Sequence, residues 1–412
     1  MAWWRPPGRG SVGAMTTTTT TTAGSATRHL RTEDCRVADL VGLLERERTD
    51  VGAYPHAERV ERGVLVYAAR TVLDADAGRR EERLALEAEL AHAWLHGPGI
   101  VVVEGALQAE VVDRVTGRFE ELIAQQRAEG RTAGDHFAAP GANDRVWGAL
   151  EKLAVADPHA FVDYYSSPVI ALAARAWLGP GYQVTSQVNV VGPGGAGQTV
   201  HRDYHLGFTS PEVSAAYPAH VHALSPQLTL QGAVAHGDMP VESGPTLYLP
   251  HSQKYSHGFL AYWLPDFQEH FAAHHVQLPL RLGDAVFFNP ALFHAAGSNS
   301  TRSTRRMANL LQISSAFGRA MESTDRRRVV ETVYPALLEA GTSGHDERLL
   351  HHAVAASAEG YAFPTNLDRD PPVDGMSPTT QAEVVRTALA ERAAPAELGR
   401  RLAEHEERRR TS

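Results

Sequence analysis

One cysteine, Cys35, stands in 412 residues. An intramolecular disulfide is thereby excluded, and the chain reads as a protein of a reducing compartment, the cytoplasm. Long apolar runs are also missing: none approaches the ~20 residues that cross a bilayer. The opening Met1-Ala-Trp-Trp-Arg-Pro-Pro-Gly lacks the apolar centre of a secretion signal, and Met15 stands as a second candidate start. No basic tract is interleaved with aromatics, and 39 Lys+Arg against 48 Asp+Glu leave a net charge of −9. Nucleic acid and membrane are therefore not the expected partners; a small molecule is. No internal repeat is visible, and oligomeric state is not readable. What remains is a chain with 43% hydrophobic residues, enough for a full core.

Four regions follow from the patterning. Residues 1–28 contain the unbroken threonine run Thr16 to Thr22 and read as a disordered, low-complexity N-terminus. Residues 29–160 read as mainly helical, with Arg79 to His96 the clearest amphipathic stretch, Ile100 to Val103 a buried strand and Ala109 to Glu129 a further helix. Asp135 to Asp144 is a polar, aromatic-bearing loop, either a substrate lid or a plain connector. Residues 161–320 carry the strands, after a helix from Pro158 that Gly179-Pro180 stops. Residues 321–412 return to helix, ending in a charged, alanine-rich tail from Gln381 to Arg410.

Within the strand-rich region, Tyr182 to Val191 alternates polar and apolar residues. Thr185, Gln187 and Asn189 share one face, which suits a strand turned towards something wet or liganded. Gly192-Pro-Gly-Gly-Ala-Gly197 follows. It lacks the Gly-Lys-Ser/Thr ending of a phosphate-binding loop, and no helix signal comes after it. Gln227 to Ala235 and Leu282 to Phe288 read as further strands, with a turn-strand-turn over Val241 to Lys254 between them. Arg305 to Ser314 closes the set.

These strands frame one constellation. His201-Arg202-Asp203 places a histidine and a carboxylate at i and i+2, on the same side of an extended chain. A second histidine, His294, arrives from another strand. Two histidines and one carboxylate can occupy one face of an octahedral iron and leave the other open, the ligand logic of non-haem Fe(II) oxygenases. Arg305, 11 residues past His294, offers a guanidinium fork able to hold a carboxylate in bidentate fashion. Taken alone the triplet is weak, since 21 histidines produce about one His-x-Asp by chance. Arg302, Arg305 and Arg306 alone would read as a solvated basic run. Arg202 beside Asp203 would read as a surface pair, and His205, His236, His251 and His257 as structural or substrate-contacting imidazoles.

The order of the motifs adds what the triplet lacks. His201-Arg-Asp203, then Glu242-Ser-Gly-Pro-Thr-Leu-Tyr-Leu-Pro-His-Ser-Gln-Lys254, then Gly283-Asp-Ala-Val-Phe-Phe288 with His294 to Arg306, resembles the phytanoyl-CoA dioxygenase family over about residues 165 to 320. The resemblance implies an α+β chain with a mainly β core: a double-stranded β-helix, a jelly-roll or cupin-like barrel, flanked by N- and C-terminal helices. It implies Fe(II), 2-oxoglutarate and O2 as the cofactor set, His201, Asp203 and His294 as iron ligands, and Arg305 as the partner of the distal carboxylate of 2-oxoglutarate. Two departures stand out. The family's Pro-Gly-Ser-His turn is Pro250-His-Ser-Gln253 here, with His251 in place of glycine. The serine that many relatives carry two residues past the distal histidine is Ala296, which leaves Gln187, Asn189, Thr229 and Gln231 as candidate polar contacts. Asp203 is retained, whereas halogenating relatives lack the carboxylate. The expected reaction is therefore hydroxylation of a small organic molecule or acyl thioester, with release of succinate and CO2. The competing readings are a jelly-roll metalloenzyme without 2-oxoglutarate, such as an isomerase or ring-cleaving dioxygenase, and a non-catalytic binding module.

Overall fold

The computed structural model describes residues 29–130, 143–373 and 376–411. The threonine-rich N-terminus and most of the expected lid, up to residue 142, lie outside the described residues.

Eleven strands are arranged in two sheets among the described residues. In chain order they are β1 (Arg59–Glu61), β2 (Val64–Ala68), β3 (Ile100–Glu104), β4 (Asn143–Val146), β5 (Gln183–Val191), β6 (Thr229–Ala235), β7 (Leu247–Leu249), β8 (Val276–Gln277), β9 (Ala285–Phe288), β10 (Phe293–Ala295) and β11 (Arg306–Ser314). The large sheet has the order β1-β2-β3-β9-β6-β11-β5-β4, and a small one the order β10-β7-β8. The small sheet lies against one face of the large one, where Tyr248 and Phe288 meet edge to face at 5.2 Å. Single bridges, His201 to His294 and Met239 to Leu280, extend the small sheet. The ladders form this jelly-roll pair without joining into a closed barrel. Four strands, β1 to β4, come from before residue 160, so the N-terminal region completes the large sheet as well as packing on it.

Strand periodicity sorts the side chains. Along β11, Met307, Leu311 and Ile313 face a helical layer, joined by Val184, Val188 and Val190 of β5 and Leu230 and Val234 of β6. That layer includes the helices Arg80–Leu95, Ala109–Ala128 and Pro168–Leu178. Both faces of β5 are covered, and eight of its nine residues are buried. This is why the strand carries so few charges despite its polar face. The opposite face looks into the space between the two sheets.

Most elements match the sequence reading within two residues, and the departures are local. The stretch read as helix around residue 60 is the hairpin β1–β2. The end of the expected loop is β4, paired antiparallel to β5. The C-terminal tail is two helices, Gln381–Ala390 and Pro395–Arg409, because Pro395 cannot continue a helix but suits its first turn.

Candidate active site

A cavity of about 970 Å3 lies between the sheets. His201, Asp203 and His294 line it, each offering a ligand atom, and those atoms all lie within 4.8 Å of one another. Backbone pairing brings the histidines together: His201 N donates to His294 O at 3.0 Å and His294 N to His201 O at 3.2 Å. Such a directly opposed pair sets the rings 4.4 Å apart. Asp203 is fixed by its own N–H, which donates to Pro290 O at 3.0 Å.

The tautomers are fixed as well. His201 Nδ1 donates to Thr199 O and His294 Nδ1 to Leu292 O, both at 2.8 Å. Each Nε2 faces Asp203, at 3.7 and 3.4 Å. A carbonyl on the far nitrogen is the support a metal-binding imidazole needs. Burial acts to raise the Asp203 carboxyl, but the imidazoles of His201 and His294 and the Gln231 amide outweigh it, and the group is held below the ordinary carboxylate range. Gln231 Nε2 donates to Asp203 Oδ2. Two imidazoles and one ionised carboxylate converging from one side fit a divalent iron. His205, His236, His251 and His257 do not belong to this group.

The arginine expectation is corrected. Arg305 lies outside the cavity lining and pairs with Glu120 and with Asp144, the latter at 3.2 Å. Arg306 is the guanidinium that lines the cavity; it is buried and donates to Gly244 O. The reason is phase. β11 begins at Arg306, and Arg306, Ala308, Leu310 and Gln312 form its cavity face. Thr229 is also displaced from its expected place: it is buried at the start of β6 and does not line the cavity. Gln187, Asn189, Gln231 and Ala296 do line it.

Several residues were not singled out from the sequence. Arg145, on β4, donates to Gln187 Oε1 at 2.9 Å, and Trp147 follows it at the cavity wall. Met321 accepts from Gln187 Nε2 at 3.1 Å. Tyr248, opposite His294 on β7, and Gln312 complete the polar lining used below. Asn-Asp-Arg-Val carries no polar–apolar alternation, so β4 and its Arg145 gave no local signal. The amide carbonyls of Asn189, Gln231 and Gln312 are buried without a partner. Each such group costs about 1–3 kcal/mol, so three on one wall are a feature to be explained.

Arg202, which could have been a surface ion pair, is fully buried and supports the site from behind. It donates to Ser252 O at 2.6 Å... and to Tyr255 O at 2.9 Å, and lies over the rings of Phe259 and Phe293. Burial pulls its pKa down to about 9. Gly258 is required beside it, because a Cβ there would overlap the guanidinium. In the Pro250 to Gln253 turn, His251 adopts φ +68°, the left-handed region that glycine enters without strain. The imidazole is held by Thr49 Oγ1 at 3.1 Å and Lys254 Nζ at 3.2 Å, which offsets a conformation that costs a non-glycine residue about 1–2 kcal/mol.

With this geometry in place the comparisons are informative. Residues 95–307 match the phytanoyl-CoA dioxygenase (PhyH) family, just over half of the chain. The chain belongs to the phytanoyl-CoA dioxygenase family. It is thus an enzyme of the Fe(II)/2-oxoglutarate-dependent oxygenase superfamily, with Fe(II), 2-oxoglutarate and O2 as its cofactors. No curated protein matches the sequence. Among solved structures it is similar to the non-heme alpha ketoglutarate dependent epimerase SnoN from nogalamycin biosynthesis, at 22% identity and TM-score 0.37, over 56% of this chain and 83% of that one. The carbocyclase SnoK from the same biosynthesis is 20% identical with TM-score 0.42, over 59% and 86% of the two chains. AviO1 from Streptomyces viridochromogenes Tue57 is 19% identical with TM-score 0.41, over 57% and 98%. No helix among the described residues is long and apolar enough to cross a membrane.

Proposed function

We propose that this oxygenase hydroxylates a small organic molecule, with His201, Asp203 and His294 holding the iron and Arg306 pairing with the distal carboxylate of 2-oxoglutarate. One observation carries the reading: the two-histidine, one-carboxylate set and a buried arginine, Arg306, open onto the same cavity, where the other lining arginine, Arg145, is engaged with Gln187. A metalloenzyme without a dicarboxylate cosubstrate has no use for the Arg306 guanidinium.

When bound, the iron supplies activation of O2 coupled to oxidative decarboxylation of 2-oxoglutarate; a substrate C–H becomes C–OH, with succinate and CO2 released. The chain's own residues hold and orient. Asp203 stays ionised, so it enters as an anionic ligand, and Gln231 fixes which oxygen it presents. Thr199 O and Leu292 O hold the Nδ1 side of each ring, so that Nε2 is the nitrogen each would offer to iron. Arg306 would hold the distal carboxylate of the cosubstrate, a role that suits a guanidinium. Tyr248, on the facing small sheet and raised above its ordinary range by burial, stays a neutral hydroxyl able to donate into the same cavity. The apolar surface of Val102, Ala233, Val286, Leu278 and Leu280 excludes water. Cys35, whose thiol burial pushes up to about 11, offers no competing nucleophile, and its solitude suits the cytoplasm.

The reading is tested by anaerobic titration of the purified apo-protein with Fe(II) and 2-oxoglutarate, following the visible band of the chelate. A saturable band lost in Asp203→Ala is expected. Iron binding without a band would overturn the use of 2-oxoglutarate.

A further inference from the structure

The carbonyls of Asn189, Gln231 and Gln312 belong to side chains more than nine-tenths buried; these side chains line the cavity, and the carbonyl oxygens have no hydrogen-bond partner. They are not scattered. Gln312 stands directly opposite Gln231 across the β11–β6 ladder, and Asn189 opposite Arg145 across β5–β4. With Gln187 between them they make one polar strip across four neighbouring strands, β6, β11, β5 and β4. Three inter-strand spacings of about 4.8 Å give a strip about 14 Å wide. Arg306 lies six residues along β11 from Gln312, about 20 Å at the rise of a strand. Asn189 stands opposite Ala308, two residues from Arg306, so a five-carbon dicarboxylate anchored at Arg306 reaches that end of the strip at most and leaves Gln312 uncovered.

Carbonyl oxygens accept, so what completes them must donate. The cavity is poor in the opposite complement, cationic groups. Besides its histidines, only Arg145 and Arg306 among the described lining residues are basic. The whole chain has two lysines, Lys152 and Lys254, and neither lines the cavity. A thioester of coenzyme A, with its several phosphate charges, has no matching surface here. Flat apolar faces do flank the opening: Phe208 and Trp263 are exposed, and Trp147 stands on the strip's side.

We infer that the substrate is an uncharged, hydroxyl-bearing ring compound, a glycoside or a comparably hydroxylated ring system, that donates hydrogen bonds to Asn189, Gln231 and Gln312 and stacks on the aromatic rim. The inference rests on the oxygenase reading above and names the substrate class of that site. It replaces the expected acyl thioester.

Two measurements test it, one of them free of metal and ligand. In the apo-protein, Asn189→Leu and Gln312→Met replace an unpartnered buried amide by an apolar group of similar shape. Each melting temperature should rise, by about 1–3 °C, while substrate-dependent succinate formation falls. If both variants melt lower than the parent, the amides are structural and the inference is overturned. The second measurement adds a set of phenyl glycosides, their fully O-methylated ethers and decanoyl-CoA to the full chain loaded anaerobically with Fe(II) and 2-oxoglutarate. A change in the chelate band with a glycoside, at least tenfold weaker with its O-methyl ether and absent with decanoyl-CoA, is expected. An equal response to the ethers, a response to decanoyl-CoA, or none to any glycoside overturns the inference. Should no band form before any addition, the oxygenase reading fails instead, and the melting temperatures still decide the fate of the amide strip.

Discussion

The two faces of the large sheet satisfy their buried polar groups unequally. On the helix side, Asn309 Nδ2 donates to the Tyr164 hydroxyl at 3.2 Å, Tyr164 to His236 Nε2 at 3.0 Å, and His236 Nδ1 to Thr116 Oγ1 at 2.8 Å. Thr116 ends the chain by donating to Val112 O at 2.8 Å. Burial lowers His236 to about 3, so it is neutral and can accept from one neighbour while donating to the other. On the cavity side, Asn189, Gln231 and Gln312 each keep an unpartnered carbonyl. The same strands thus carry a hydrogen-bonded chain with one unpartnered carbonyl, Asn309 Oδ1, on one face and three unpartnered carbonyls on the other. A satisfied network stabilises a fold, whereas an open one costs stability and persists where a ligand completes it.

The comparison breaks or sharpens through substitutions on each face. Asp203→Ala has the largest effect. Loss of residues that merely support a ligand typically costs 10–100-fold, so loss of a proposed ligand should cost at least about 100-fold in turnover, with the apo fold intact by circular dichroism. Equal turnover would remove the metal set from the account. On the helix face, Leu311→Ala should cost about 2–5 kcal/mol of stability by denaturant unfolding and leave the apparent affinity for 2-oxoglutarate unchanged. A shift in that affinity would mean that the two faces are coupled. Arg306→Ala should weaken 2-oxoglutarate by about 2–4 kcal/mol, roughly 30- to 1000-fold in its concentration dependence. Gln231→Leu keeps the volume but frees Asp203, and iron retention under chelator challenge should fall about 10–100-fold. Arg305→Ala should be smallest, below about 1 kcal/mol in stability with no change in the cosubstrate requirement, because Glu120 is exposed to solvent and Asp144 keeps a second arginine, Arg127. If Arg305→Ala and Arg306→Ala exchanged effects, the observed phase of β11 would be wrong.

Legibility in the sequence followed locality. His201 and Asp203 are two residues apart on an extended segment, and their convergence needs only the period of a strand. β5 and the helix Arg80–Leu95 were readable because, at nine and 16 residues, they are long enough for a period to show despite breaks at Ser186 and at the exposed Leu84 and Leu95. Arg305 was chosen over Arg306 because consecutive arginines at a strand's start give no phase by themselves. The phase is set by pairing, where Arg306 stands opposite Val191 and Ala308 opposite Asn189. Arg145 was missed because β4 is four residues long and becomes a strand only against β5. The hairpin β1–β2 is similarly short and is held by β3.

By itself, the sequence determined the chemistry: which side chains carry imidazole and carboxylate, at a spacing that an extended chain turns to one side, and a family whose motifs stand in order. The tertiary structure alone decided which arginine meets the cavity, which amides remain without partners, and that four N-terminal strands complete the sheet. Those outcomes depend on register between strands far apart in the chain, and register is a property of pairing that no single segment encodes.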